Sequence, residues 1–326
     1  MDFLVRRMTA LARYPRALTW QVNPLLKALM TQLPQPMQQL MARLGPIWGS
    51  DIRGHTQTVM GAYAPLLAAA DNSGISVTRD LPYGPHPRQV LDIFQPSTAH
   101  HAGVVVFVHG GAFVRGDKQA SAEIYDNLMF WFAKQGYVGI NIEYRLAPES
   151  TFPGGADDVA RAMAWLTQNV AAHGGNPARL FLIGHSAGGT HVASYVFDPG
   201  LAYHGQYTAG AVLISARLRA DVSLDNPNAD AVRAYFGQDA ALYDQRSPVS
   251  HAASSRLPVF IVTAEFENPL LDVYGLEMAH QISLARKQAP RYRQMRGHNH
   301  MSVVAHFNSG EDTLGREILD FFETGC

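Results

Sequence analysis

Gly184-His185-Ser186-Ala187-Gly188 directly follows the apolar run Leu180-Phe181-Leu182-Ile183 and leads into Gly189-Thr190-His191-Val192-Ala193. A serine with glycines two before and two after it, set between a strand-like run and a small-residue helical start, describes a sharp strand-to-helix turn that exposes the hydroxyl for attack. A serine hydroxyl is a weak nucleophile until a base takes its proton, and that base must be oriented by a third group. Both are available downstream, each behind a strand-like run. Val259-Phe260-Ile261-Val262-Thr263 precedes Ala264-Glu265-Phe266-Glu267-Asn268-Pro269-Leu270-Leu271-Asp272, and the weaker run Tyr292 to Met295 precedes Gly297-His298-Asn299-His300-Met301-Ser302. Among the carboxylates Glu267 is the preferred acid. Glu265 follows the strand so closely that it can anchor a neighbouring loop, and Asp272 suits the cap of the next helix. His300 is the preferred base because a helical turn starts there, and His298 reads as a loop-ordering residue.

A second group lies after the run Val104 to Val108: His109-Gly110-Gly111-Ala112-Phe113. Negative charge that grows on a substrate oxygen during acyl transfer must meet preorganised N–H donors, and a glycine-rich backbone supplies them. Such a segment pairs its N–H with that of the residue after the nucleophile, here Ala187. Losing one donor of this kind costs about 2.7 to 4 kcal/mol of transition-state stabilisation. His109 reads as a structural hydrogen-bonding residue. His185 reads as packing or as substrate-lining, and Phe113 suggests an apolar pocket.

The elements that position these groups follow from periodicity. Ile75 to Leu81 and Gln89 to Phe94, separated by Tyr83-Gly84-Pro85-His86-Pro87, predict a β-hairpin. Val104 to Val108, Val138 to Ile142, Leu180 to Ile183, Ala211 to Ile214 and Val259 to Thr263 are short apolar runs of the kind buried on both faces of a parallel sheet. Helical patterns alternate with them over 122–135, 155–173, 190–197, 273–288 and 311–322. This alternation predicts an α/β fold with a mostly parallel sheet of about eight strands, covered by helices on both faces. The stretch 217–255 has no comparable strand and reads as an insertion. After the run Val138 to Ile142, Pro148 and Pro153 stiffen a loop in which Arg145 is expected to pair with Glu143 or Glu149. Asp157 and Asp158 suit the positive end of the next helix.

Composition narrows the class. A chain of 326 residues, 47% hydrophobic with formal net charge -1, can bury a sizeable core and has no bias toward nucleic acid. Its one cysteine, Cys326, excludes an internal disulfide framework and a Cys-based metal site. No apolar run approaches the roughly 20 residues of a membrane span, and a signal peptide is not evident, so a cytoplasmic location without stable membrane insertion is expected. The opening differs: between Asp2 and Asp51 it has no acidic residue but carries Arg6, Arg7, Arg13, Arg16, Lys27 and Arg43. Prolines interrupt its helical spacing, giving short broken helices over 1–55 that either pad the domain or form a cap or lid. The catalytic domain is expected over 56–326.

The motifs His109-Gly110-Gly111-Ala112-Phe113, Tyr144-Arg145-Leu146-Ala147-Pro148-Glu149 with Phe152-Pro153, and Gly184-His185-Ser186-Ala187-Gly188-Gly189 resemble the hormone-sensitive-lipase-like carboxylesterases of the α/β-hydrolase superfamily. Gly116-Asp117-Lys118 is also similar to the feruloyl esterase and kynurenine formamidase branch. The resemblance covers about residues 75 to 325. It implies an α/β-hydrolase fold, Ser186 as nucleophile, His300 as base, and an oxyanion hole from the N–H groups of Gly111, Ala112 and Ala187. Two positions depart from the family pattern: Ala112 replaces the third glycine, and Glu267-Asn268 stands where the family usually has aspartate before the proline. The expected activity is hydrolysis of small to medium carboxylic esters through an acyl-enzyme, requiring no metal or organic cofactor. A small-molecule ester is the expected partner, and a homodimer stays open. The alternatives are an amidase or formamidase with the same triad, and a non-catalytic ligand-binding homologue.

Overall fold

The computed structural model describes residues 34–326 of the chain. The expected basic opening therefore lies mostly outside the described residues. Its described end consists of α1 (Gln35–Leu44), a 3-10 turn (Gly45–Ser50) and α2 (Ile52–Ala68). Asp51 starts α2 by accepting a hydrogen bond from the Gly54 N–H at 3.0 Å, and the helix runs through positions 55 and 56. The expected boundary at 55/56 thus falls inside a helix.

Eight strands form one sheet: β1 (Ile75–Pro82), β2 (Val90–Pro96), β3 (Ala102–Val108), β4 (Val138–Ile142), β5 (Gly175–His185), β6 (Gly210–Ile214), β7 (Val259–Phe266) and β8 (Arg291–Asn299). Their order is β1-β2-β4-β3-β5-β6-β7-β8. β2 runs antiparallel to both its neighbours, and every other pairing is parallel. The hairpin and the parallel runs read from the sequence are all present. Because β3, β5, β7 and β8 point the same way, the segments that follow them emerge along one edge.

Period-2 alternation divides the core. Val104, Val106 and Val108 of β3 join one apolar cluster, and Val105 and Phe107 join the other; Leu180 and Leu182 separate from Phe181 and Ile183 in the same way. The first face is covered by α4 (Gly154–Asn169), α5 (Ala187–Phe197) and α8 (Leu271–Arg286). The second is covered by α1, α2, α3 (Asp126–Lys134) and α10 (Thr313–Thr324). Between β6 and β7 the insertion holds α6 (Ala229–Phe236) and α7 (Tyr243–Arg246) and no strand, as its composition suggests. A four-residue turn, α9 (Ser302–Ala305), links β8 to α10.

Some expectations shift. The helix expected from residue 122 begins at Asp126, because the Ser121 hydroxyl accepts from the N–H groups of Glu123 and Ile124 and offers the chain a turn instead. Asp272 does not cap α8; Leu270 holds that position, and Asp272 lies in the first turn beside the helix dipole. Arg145 pairs with neither Glu143 nor Glu149. It reaches Asp158 at 2.7 Å, while Asp158 also accepts from the Arg145 N–H and from Gln89. Glu143 is instead taken by His109 and Arg88, and Glu149 by His86. Loop closure brings Asp158 under Arg145 in a way that local spacing does not encode.

Candidate active site

Ser186 sits between the end of β5 and the start of α5 with φ 54° and ψ -119°, a conformation sparsely populated by non-glycine residues. Its N–H donates to the Ile214 carbonyl at 3.0 Å, so the neighbouring β6 holds the turn in place. Packing explains the flanking glycine: a Cβ on Gly188 would lie 2.1 Å from the Val108 carbonyl oxygen of β3. Any side chain there would push α5 away from the sheet and move the serine with it.

Gly111 and Ala112 turn back over the same point. Gly111 has φ 145°, and a Cβ there would lie 1.8 Å from the Arg115 carbonyl oxygen. Ala112 carries its methyl at φ 50°, a left-handed conformation that costs an L-residue roughly 1 to 2 kcal/mol. Among the described residues, the N–H groups of Gly111, Ala112 and Ala187 have no protein acceptor. His109 lies beneath this loop, fully buried, and donates from Nε2 to Glu143 Oε1 at 2.8 Å, the structural role expected of it.

His300 and Glu267 meet directly. His300 Nδ1 donates to Glu267 Oε2 at 2.8 Å, and the His300 N–H donates to the Phe266 carbonyl at 3.1 Å. Glu267 is buried, and its Oε1 accepts from the Ala264 N–H at 2.7 Å and from the Ser215 hydroxyl. Ser215 is a site residue that sequence reasoning missed. It follows β6 rather than β7, and no local motif marks it.

The remaining candidates have other tasks. Glu265 accepts from the Gly297 N–H at 2.7 Å and so ties β7 to the end of β8. His298 is buried, with Ser302 Oγ at 3.1 Å from Nδ1 and Glu311 Oε1 at 3.2 Å from Nε2. With His306 it forms a His-His-Glu cluster whose ligand atoms lie within 4.8 Å of one another. His298 thus ties the end of β8, two residues before His300, to Ser302 and Glu311.

Ser186, His185 and His300 line a cavity of about 770 Å³ together with Gly111 and Ala112. Its outer wall comes from α2 through Ile52, Arg53, Thr56, Gln57 and Met60. His185 is buried, and its Nε2 donates to the His300 carbonyl at 3.0 Å while Tyr125 Oη lies 3.4 Å from Nδ1. Burial, then the neighbouring His300 charge, pushes the His185 pKa well below the usual range and keeps the ring neutral. Ser186 Oγ makes no hydrogen bond among the described residues; catalytic contacts of this kind often tighten only when substrate binds. Phe113 does not line the cavity. It is 1% exposed and stacks on Tyr235 with ring centroids 4.8 Å apart, because the insertion folds α6 over it.

The chain is similar to several known proteins. A hyperthermophilic esterase from the archaeon Pyrobaculum calidifontis superposes with a TM-score of 0.66 at 21% identity, over 90% of this chain and 98% of that one. This is the α/β-hydrolase fold. A bacterial heroin esterase aligns with a TM-score of 0.63 at 22% identity, over 93% of this chain and 98% of that one. The BD-FAE family model matches residues 91–197, which carry the Gly111 loop and the Ser186 turn but end before Glu267 and His300. Esterase LipQ of Mycobacterium tuberculosis is 29% identical over 211 residues, 58% of this chain and 48% of its own length. Human cocaine esterase is 38% identical over 122 residues, 33% of this chain and 21% of its own length. The chain thus spans about half or less of the curated relatives it matches. Among the described residues, no helix of the chain is long and apolar enough to cross a membrane.

Proposed function

We propose that this chain is a serine carboxylic ester hydrolase acting by acyl transfer. The observation that carries the reading is the 2.8 Å bond from His300 Nδ1 to buried Glu267, beside a cavity that His300 shares with the strained Ser186. Ser186 Oγ attacks the ester carbonyl while His300 Nε2 takes its proton. Glu267 keeps that nitrogen unprotonated and aimed outward, then stabilises the imidazolium. The N–H groups of Gly111, Ala112 and Ala187 receive the oxyanion. His300 returns the proton to the departing alcohol, and water, activated by the same ring, releases the acid and frees Ser186.

Relatives and structural neighbours named as esterases support the reaction class. A cavity of about 770 Å³ supports small to medium esters as substrates. Ser186→Ala is expected to abolish turnover of p-nitrophenyl butyrate and labelling by a fluorophosphonate probe while leaving circular dichroism and thermal unfolding near those of the parent. Hydrolysis retained by the folded variant would refute the assignment.

A further inference from the structure

The cavity is charged on one side only. Arg53 and Arg115 line it, and no aspartate or glutamate does. Many arginines elsewhere in the described chain are matched, among them Arg79 with Asp92 and Asp126, Arg145 with Asp158, Arg219 with Asp244 and Glu277, and Arg291 with Asp320, whereas Arg43, Arg161, Arg246, Arg256 and Arg286 lack a carboxylate partner but do not line the cavity. Neither cavity arginine has a carboxylate partner among the described residues. Arg115 bonds to the neutral Asn228 Oδ1 at 3.2 Å, and Arg53 has no hydrogen bond or ion pair there. Arg53 also stands in the first turn of α2, where the helix dipole disfavours a cation. Asp51, its nearest carboxylate in sequence, is engaged by the Gly54 N–H. The Glu267 side chain, bonded to His300, is buried and does not line the cavity.

Two guanidinium groups without counter-ions, over a cleft walled by protein, focus a positive field on whatever enters. A guanidinium matches the planar fork of a carboxylate and binds it by charge-assisted hydrogen bonds. We infer that the site selects esters carrying a second, anionic group remote from the scissile carbonyl, held at the cavity mouth by Arg53 and Arg115. The inference rests on the hydrolase reading above and adds the substrate class to it. Binding energy from that remote anion would orient the ester on Ser186 without touching the reacting atoms.

Matched substrates test it. Monomethyl glutarate against methyl valerate places the anion on the acyl side, and butyryl glycolate against ethyl butyrate places it on the alcohol side. At low ionic strength the anionic ester of at least one pair is expected to lead its neutral partner by about tenfold or more in kcat/KM. Both arginines are exposed, so that lead shrinks at about 0.5 M salt as screening shortens to a few ångströms. Arg53→Gln and Arg115→Gln are each expected to lower the anionic-to-neutral ratio severalfold, Arg53→Lys to retain more of it than Arg53→Gln, and the double glutamine variant to bring it near one. No lead in either pair, or a lead that survives the double variant, overturns the inference while the hydrolase reading stands. Absence of all ester hydrolysis together with absence of fluorophosphonate labelling overturns both.

Discussion

Glu267 uses its two oxygens for separate tasks: Oε2 holds His300, and Oε1 is held by the Ala264 N–H and by Ser215. A carboxylate fixed at one end can fix the imidazole at the other. In the proposed mechanism, Glu267→Gln keeps the shape but loses the charge and the tautomer control, and kcat should fall by about 10³ to 10⁴ with a small change in KM. Ser215→Ala leaves the Ala264 N–H in place, so its loss should be nearer tenfold; steady-state rates on p-nitrophenyl butyrate give both numbers. Position along the chain separates the two glutamates: Glu265 still lies in β7 and bonds to Gly297, whereas Glu267, one residue past its end, meets His300. Ser215 was not legible in the sequence, since it meets Glu267 from 52 residues away. His298 offers the complementary test. His298→Gln should retain turnover yet lower stability by about 1 to 3 kcal/mol, because Glu311 and Ser302 lose a buried partner; loss of turnover in a stable protein would reassign the base.

At the scale of elements, the reactive groups are carried by turns that strands and helices leave little freedom. β5 delivers Ser186, β3 the Gly111 loop, β7 Glu267 and β8 His300, all along one edge of the sheet. The loop between β4 and α4 is secured by the Arg145–Asp158 pair, in which Asp158 is fully buried. Removing one partner of a buried pair leaves the other uncompensated, at about 3 to 5 kcal/mol. Asp158→Asn is therefore expected to cost about 3 kcal/mol in chemical denaturation, the low end because Arg145 keeps some access to solvent. The aromatic cluster of Phe113, Tyr235 and Phe236 joins the insertion to the Gly111 loop. Nothing in the composition of 217–255 announced that it would cover Phe113, because a contact between a loop and an insertion more than 100 residues later has no periodic signature.

Across the whole molecule, several histidines are buried neutral. Burial, with a smaller effect of His109, pushes the His191 pKa down to about 3, and burial, opposed in part by the Glu311 carboxylate and aided by His298, brings His306 down to about 4. The unfolded chain protonates these rings near pH 6.5 while the folded protein refuses the proton, so stability is lost as pH falls through 6.5 toward those lower values. Each contributes about 1.4 kcal/mol per pH unit in that window. Urea denaturation at pH 5 is thus expected to give a lower stability than at pH 7.5, with a net proton uptake on unfolding. His191→Phe should reduce that uptake by about one proton, since neither ring nitrogen of His191 has a partner to lose; an unchanged slope would contradict the assignment. The sequence by itself determined the alternation of strand and helix, the serine turn and the glycine-rich loop, because each is written in local periodicity or in a motif whose spacing is its geometry, and it offered Glu267 and His300 as the preferred acid and base that the proposed mechanism uses. Only the tertiary structure decided that Asp158 takes Arg145, that Ser215 braces Glu267, that Phe113 is core rather than pocket, and that Arg53 and Arg115, from distant parts of the chain, line the same cavity as Ser186. Those are meetings of side chains from distant elements, set by how sheet, insertion and α2 close on one another, and no short stretch of chain carries them.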